Sequence, residues 1–344
     1  MSTAPPSQDQ NLVIVPAAAV KAALESLGKR SKEVVEEVYV QAAEGKLVNP
    51  DSLFLRPDQE RRERIIALPA YVAGQSPAMG LKWISSFPEN LALGLPRASA
   101  LIALNDLRTG FPTAVLEGAQ ISGHRTALSA AVGADALRTG DRAIGKLAVI
   151  GTGYISRTTL SVLAGLGWTC QELVVHDLDE ERARSFGAGI GEYAAGLTST
   201  VTTTDTVREA VTGADVVLFA TTAVVPHVGE PGWFKPGAVI LHMSLRDLLP
   251  EAMAEAVHVV DDVAHSLREK TSLALAVEQG TVDRRDITPI GDYLRGAAEP
   301  DRERTAIYAP FGLGSLDIAL AGLVLERCHG TDSVVTVRGF SAVS

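Results

Sequence analysis

The run Leu147-Ala148-Val149-Ile150-Gly151 leads directly into Thr152-Gly153-Tyr154-Ile155-Ser156 and then into the helical pattern RTTLSVLAGLG. Strand, glycine turn and helix in that order form a dinucleotide-binding crossover. Gly151 permits the tight turn, Gly153 lets backbone approach a pyrophosphate, and the phosphates sit at the positive end of the helix. Gly151, Thr152, Gly153, Tyr154 and Ile155 are therefore candidate cofactor contacts. Ser156 stands where a third glycine is usual, a departure that a small residue tolerates. Asp177 ends the next strand pattern, 26 positions after Gly151. A carboxylate there accepts hydrogen bonds from the adenosine ribose and repels a 2′-phosphate, which predicts NAD rather than NADP. The competing reading is that Asp177 caps a helix beginning near Asp179.

These residues need a sheet to hold them. From about residue 131 to 290 strand and helix patterns alternate, with strands at 147–151, 172–177, 200–204, 215–221, 238–243 and 257–262. Alternation of this kind implies a parallel sheet with right-handed crossovers. Ligands bind beyond the carboxyl ends of such strands, so Thr221, Met243, Ser244 and Leu245 are further cofactor candidates, although Thr221 could simply terminate a strand. The first third reads as α+β. Two helical patterns lie between Pro16 and Gly45, β-like stretches follow at 52–56, 64–72 and 81–85, and a hairpin joins SALIALND to PTAVLEG. An alanine-rich helix spans Ile121 to Arg138, and SLDIALAGLVLER forms a late apolar helix able to return to the first domain. The fold class is α/β: a Rossmann doubly wound parallel sheet over 131–314, plus an α+β domain built from 1–130 and 315–344.

Composition narrows the function. The net charge is −10 and no Lys or Arg run offers a stripe for a phosphate backbone, so nucleic acid is excluded as a partner. An anionic substrate must instead be held by individual cations in a pocket. Cys170 and Cys328 suggest neither a disulfide framework nor a metal site. The first ten residues, MSTAPPSQDQ, read as a disordered tail, no apolar stretch reaches the roughly 20 residues of a membrane span, and a cytoplasmic protein is expected.

Lys82 in GLKWISSF, the hairpin SALIALNDLRTGFPTAVLEG, Arg125-Thr126-Ala127 in ISGHRTALSAA, the GTGYIS turn with Asp177, Asp247 and the closing PFGLGSLD occur in one order. Together they resemble the ornithine cyclodeaminase/mu-crystallin family. That resemblance implies a homodimer joined through strands of the first domain, and a cleft between domains holding Lys82 near the substrate and Arg125 near substrate and cofactor phosphates. It implies that Asp247 donates and accepts protons, that Ser99 touches the cofactor, and that Gly312 and Leu313 approach the nicotinamide. The alternative for Asp247 is an N-cap for LLPEAMAEA.

Two departures bear on the substrate. Ornithine cyclodeaminases usually carry an arginine two residues after an early proline. Here Ser52 stands there, with Arg56 four positions on. After Asp247 the chain continues Leu248-Leu249-Pro250-Glu251, unlike those enzymes. The segments RERIIALPAYVAG, GLKWISSF, PRASALIALND and SLRD look most like one branch, the N-(2-amino-2-carboxyethyl)-L-glutamate dehydrogenases that supply 2,3-diaminopropionate to siderophore and peptide antibiotic pathways. A PLP-dependent synthase making that substrate is then the expected pathway neighbour. A tricarboxylate needs cations, and Arg56, Arg64, Lys82 and Arg125 are the candidates, while Arg61, Arg62 and Arg97 read equally well as surface charges. In this chemistry the substrate's secondary amine is oxidised to an imine and water releases 2-oxoglutarate, with Asp247 moving protons and Lys82 orienting a carboxylate or the attacking water. Ornithine cyclisation, imine reduction or simple amino acid oxidation, and a non-enzymatic binding role are the alternatives. His124 beside Arg125, and His242 near the end of a strand, could approach the cleft, but a satisfied structural histidine is the commoner outcome and both stay outside the candidate set.

Overall fold

A computed structural model describes residues 9–58, 62–229 and 232–342. Residues 1–8 of the expected tail, and Arg61, lie outside the described residues. The chain divides into two compact units, one of Met1–Val34, Lys46–Arg125 and Leu313–Ser344, the other of Val35–Gly45 and Thr126–Gly312.

The first unit holds seven strands: β1 (Asp9–Val15), β2 (Leu53–Leu55), β3 (Arg64–Val72), β4 (Ala78–Ser86), β5 (Ala98–Asn105), β6 (Pro112–Glu117) and β15 (Val335–Ala342). Their order is β15-β1-β6-β5-β4-β3-β2, antiparallel except for the parallel pair β1 and β6. The expected β5–β6 hairpin forms, and its turn is held by Asp106 Oδ1, which accepts from the N–H groups of Arg108 and Thr109 and from the Thr109 hydroxyl. One face of the sheet packs on the late apolar helix, Gly314–Cys328. Leu68, Ala70, Val72, Ile102, Leu104 and Leu116 are buried there. Gly314 permits the close approach, since a Cβ on it would stand 3.0 Å from that of Leu68.

Strands β1 and β15 were not anticipated. Val335-Thr336-Val337-Arg338 does alternate and Leu12–Val15 is a short apolar run, both strand signals that the sequence reading missed, and the two strands pair with each other from opposite ends of the chain.

The second unit carries β7 (Ala143–Ile150), β8 (Thr169–His176), β9 (Val201–Thr203), β10 (Val216–Phe219), β11 (Val239–His242), β12 (Val257–Val260), β13 (Ile287–Pro289) and β14 (Ala306–Tyr308). All pair in parallel in the order β13-β12-β14-β11-β10-β7-β8-β9. The order reverses at β7 and β10, the switch point at which a doubly wound sheet opens a ligand crevice. β10 and β11 are buried at every position, as strands covered on both faces must be. Both end earlier than expected, at Phe219 and His242, so Thr221, Met243 and Ser244 lie in the loops that follow. The three-residue strands β13 and β14 are too short for periodicity to reveal. The segment Val35–Gly45 belongs to this unit, where Tyr39, Ser129 and Tyr308 close a ring of buried hydroxyls at 2.7, 2.9 and 3.0 Å.

Candidate active-site clusters

In the second unit, Gly151 follows β7 with φ +88°, and its N–H donates to His176 O at 2.9 Å. A Cβ there would stand 2.8 Å from Ala220 O, so the turn admits only glycine. A Cβ on Gly153 would meet nothing within 4 Å, and the helix Tyr154–Gly165 that Gly153 starts has no side-chain cap. Open space over uncapped N–H groups suits a dinucleotide pyrophosphate. Ser156, fully buried, donates its hydroxyl to Gly151 O at 2.5 Å and so ties the helix back onto the turn. The side chains of Tyr154 and Leu178 are exposed beside this turn, and Ile155 is half-buried.

Asp177 closes the other side of the turn. Its Oδ2 accepts from the Thr152 N–H at 2.8 Å and the Thr152 hydroxyl at 2.6 Å. The helix Glu180–Ala188 is capped by Asp179 instead, which removes the capping alternative for Asp177. Burial opposes ionisation of Asp177, but hydrogen bonds from Thr152 and Asp179 hold its carboxyl below the usual range. It is thus an anion on the lip of the turn.

A second group gathers beyond β10 and β11. Asp247 is fully buried. The Thr221 hydroxyl donates to its Oδ1 at 2.5 Å, the Ser244 hydroxyl donates to Oδ2, and His242 Nε2 lies 3.1 Å from Oδ2. Its backbone carbonyl accepts from the N–H groups of His227 and Val228. The following short helix, Pro250–Ala252, starts from Leu249 without a side-chain cap, so Asp247 is no N-cap. Burial works against a charge on Asp247, yet the hydrogen bond from His242, then the two hydroxyls, keep its carboxyl below the ordinary range. His242, Ser244 and Leu245 line a small crevice with Ser266, Thr271 and Phe311, and Met243 is half-buried beside them in sequence. Gly312, at φ +105°, donates its N–H to Asp261 Oδ2 at 2.6 Å, while Phe311 donates to Oδ1 at 3.0 Å. The buried carboxylate of Asp261, absent from the sequence reading, thereby fixes the glycine turn.

In the first unit, Lys82 lies on β4 and is buried. Its Nζ donates to Asp317 Oδ2 at 2.6 Å and to Ser122 Oγ at 3.2 Å, and Arg125 Nε lies 3.3 Å from the same carboxylate. Burial pushes the Lys82 ammonium down to about 8, with Asp317 opposing the fall and Arg125 adding to it. Burial likewise disfavours charge on Asp317, but Arg125 and Lys82 outweigh it and hold that carboxyl below its usual range. The sequence reading missed Asp317 and Ser122. The signal for Asp317 was present: an acid in the first turn of the apolar stretch SLDIALAGLVL must be paired if it is buried.

The remaining candidates fall elsewhere in this unit. Arg64 opens β3 opposite Ser86, and Lys82 faces Leu68 on the same strand pair. Four residues of β3 separate those registers, so Arg64 and Lys82 project from one face about 13 Å apart. Arg56 follows β2 with its guanidinium over the Phe54 ring, 5.1 Å from the centroid, and is not drawn into the Lys82 cluster. Ser99 pairs with Ser85, their hydroxyls 2.8 Å apart, on the face opposite Lys82, and is exposed. Leu313 is buried at the start of the helix Gly314–Cys328.

Residues 13–332 match the family model of the ornithine cyclodeaminase/mu-crystallin family. The chain belongs to that family. Over 318 residues it is 27% identical to the N-((2S)-2-amino-2-carboxyethyl)-L-glutamate dehydrogenase of Staphylococcus aureus, covering 89% of this chain and 93% of that protein. It is 28% identical over 303 residues to an alanine dehydrogenase of Archaeoglobus fulgidus, covering 85% and 88%. Among solved structures it resembles the Thermococcus litoralis Δ1-pyrroline-2-carboxylate reductase in complex with NADH and L-proline, with a TM-score of 0.81, 26% identity and coverage of 92% and 97%.

Proposed function

We propose that this chain is the NAD-dependent dehydrogenase that cleaves N-(2-amino-2-carboxyethyl)-L-glutamate oxidatively to L-2,3-diaminopropionate and 2-oxoglutarate. At the coarser level it is an oxidoreductase acting on C–N bonds with NAD as cofactor. The observation that carries the finer reading is the Lys82–Arg125–Asp317 cluster with Arg64 on the same sheet face. Two cations share one buried carboxylate, which leaves one positive charge for an incoming carboxylate. Arg64, about 13 Å away along the strand, suits a second carboxylate of an elongated substrate better than it suits alanine or proline.

The glycine turn of Gly151 and Gly153 would hold the cofactor's diphosphate and Asp177 its adenosine ribose. Bound NAD supplies the hydride acceptor. Asp247 takes the proton lost by the substrate's secondary amine as the C–N bond becomes an imine, and returns a proton as water addition and collapse release the primary amine. Lys82 and Arg125 orient the carboxylate next to the reacting carbon.

The first unit also presents an apolar outer face. Leu53, Ala67, Trp83 and Leu101 form one row across β2, β3, β4 and β5, and Leu53, Leu55 and Leu101 are exposed. A second copy of the chain would cover this row and make the protein a homodimer. A PLP-dependent synthase would supply the substrate.

The reaction is tested by absorbance at 340 nm with purified protein, NAD and N-(2-amino-2-carboxyethyl)-L-glutamate, in parallel with alanine, proline and ornithine. NADH growth with diaminopropionate and 2-oxoglutarate as products is expected. Growth with alanine or proline alone would replace the substrate. Asp247→Asn should keep NADH binding and lose at least about a hundredfold in turnover, and near-normal turnover would remove Asp247 from the chemistry.

A further inference from the structure

The Asp247 carboxylate meets no solvent, so its readiness to take a proton is set by the donors around it. Thr221 and Ser244 contribute hydroxyls that do not titrate. The third donor is His242, the last residue of β11, buried and lying edge-to-face on Phe219 with centroids 6.0 Å apart and planes at 84°. An ionised carboxylate only accepts, so the 3.1 Å contact places the proton on His242 Nε2. In that tautomer the Asp247 N–H, 3.4 Å from the same nitrogen, finds no lone pair.

We propose that His242 is a positioning residue that sets the acidity of Asp247, its Nε2–H holding the carboxylate ionised between turnovers and reserving Oδ1 for the substrate's proton. Oδ2 carries two donors, His242 and Ser244, whereas Oδ1 carries only Thr221 and is the more basic oxygen. In the amine oxidation the N–H bond breaks, the O–H bond forms at Oδ1, and the nitrogen pair enters the C=N bond as the carbon's hydride leaves for NAD. No bond to His242 is made or broken. The other elements packed around Asp247 are the segment at His227 and Val228, which offers backbone N–H groups, and the helix Ser272–Glu278, whose Ser272 hydroxyl accepts from Leu248 N–H. Among the described residues, His242 is the titratable side chain within hydrogen-bonding distance of the carboxylate.

This inference rests on the reading of Asp247 as the acid and base. The test is the pH dependence of kcat/KM for wild type, His242→Leu, His242→Gln and His242→Asn, with Asp247→Asn as the reference and NADH fluorescence titration as the check on fold and cofactor binding. Loss of the donor in His242→Leu should move the acid limb up by about one pH unit while NADH affinity stays within about twofold. Gln, whose amide nitrogen reaches the Nε2 position, should restore the limb, and the shorter Asn should behave like Leu. An unmoved limb in Leu and Asn, or a Gln limb displaced as far as theirs, overturns the inference. Should the Leu variant fail to fold, the Gln and Asn pair decides in the same way. Normal turnover by Asp247→Asn would remove the underlying reading itself, an outcome distinct from an inactive Asp247→Asn with unmoved His242 variants.

Discussion

Lys82 Nζ lies 2.6 Å from Asp317 Oδ2, across 235 positions of sequence, with both side chains buried. The pair ties β4 to the helix that covers it, and Arg125 shares the same carboxylate. Asp317→Asn would leave the buried Lys82 and the half-buried Arg125 facing a neutral amide. Breaking a buried pair in this way costs about 3–5 kcal/mol, so urea unfolding should move to lower concentration by a corresponding margin. Substrate KM should rise in the same variant, because Lys82 Nζ and Arg125 Nε lose the carboxylate that holds them in place. Unchanged stability would show that the carboxylate is not what balances the cluster.

The Lys82 ammonium, pushed down to about 8 by burial, should give the enzyme an alkaline limb. On the proposed role of Lys82, the charge that would receive the substrate carboxylate fades above that pH in the free enzyme, so kcat/KM should fall by about tenfold per unit until Arg125 alone remains. Lys82→Arg, which cannot lose its charge in this range, should abolish the limb even if it slows turnover. The stability sign is the reverse. Between about 8 and the usual lysine value of 10.5 the unfolded chain binds the extra proton, so this group's cost to folding is full below pH 8 and fades as pH rises. An alkaline limb that persists in Lys82→Arg would assign it elsewhere.

The glycine turn was legible because its backbone demands specific residue types: Gly151 at positive φ, Gly153 under open space, Asp177 at the next strand end. The alternating strands were legible for the same reason of period and composition. What escaped detection depends on distant pairing. His242 reads as an ordinary strand histidine until the loop after β11 folds Asp247 back onto it, and Asp317 acquires its partners only when the last helix covers β4. β13 and β14 are three residues each, so local pattern carries no trace of them, whereas β15 alternates over Val335–Arg338 and β1 holds the apolar run Leu12–Val15.

Asp177 makes the cofactor preference testable. Its carboxylate is held ionised at the lip of the turn, where a 2′-phosphate would meet like charge, and kcat/KM with NAD should exceed that with NADP by well over about tenfold. Asp177→Ser removes the charge and keeps a ribose hydrogen bond, and should narrow the ratio mainly through the NADP term. The same substitution loses the anchor on Thr152, so some loss of NAD affinity is expected as well. Equal use of the two cofactors by wild type would show that Asp177 does no more than brace the turn.

The outer face of the first unit supplies the last test. Leu101 sits in the row Leu53, Ala67, Trp83, Leu101, flanked by β4 and β6, and is 41% exposed in the single chain. A stable interface buries about 1,600 Å² in total, and a two-fold axis through the row would bring each substitution into it twice. Leu101→Glu therefore places two carboxylates in an apolar contact without a partner, a cost that an interface of ordinary strength does not survive. Because the position is exposed within one chain, the monomer should remain folded. Light scattering at micromolar concentration should give twice the chain mass for wild type and the chain mass for the variant, with circular dichroism unchanged. A dimer that persists in the variant would place the interface on another face.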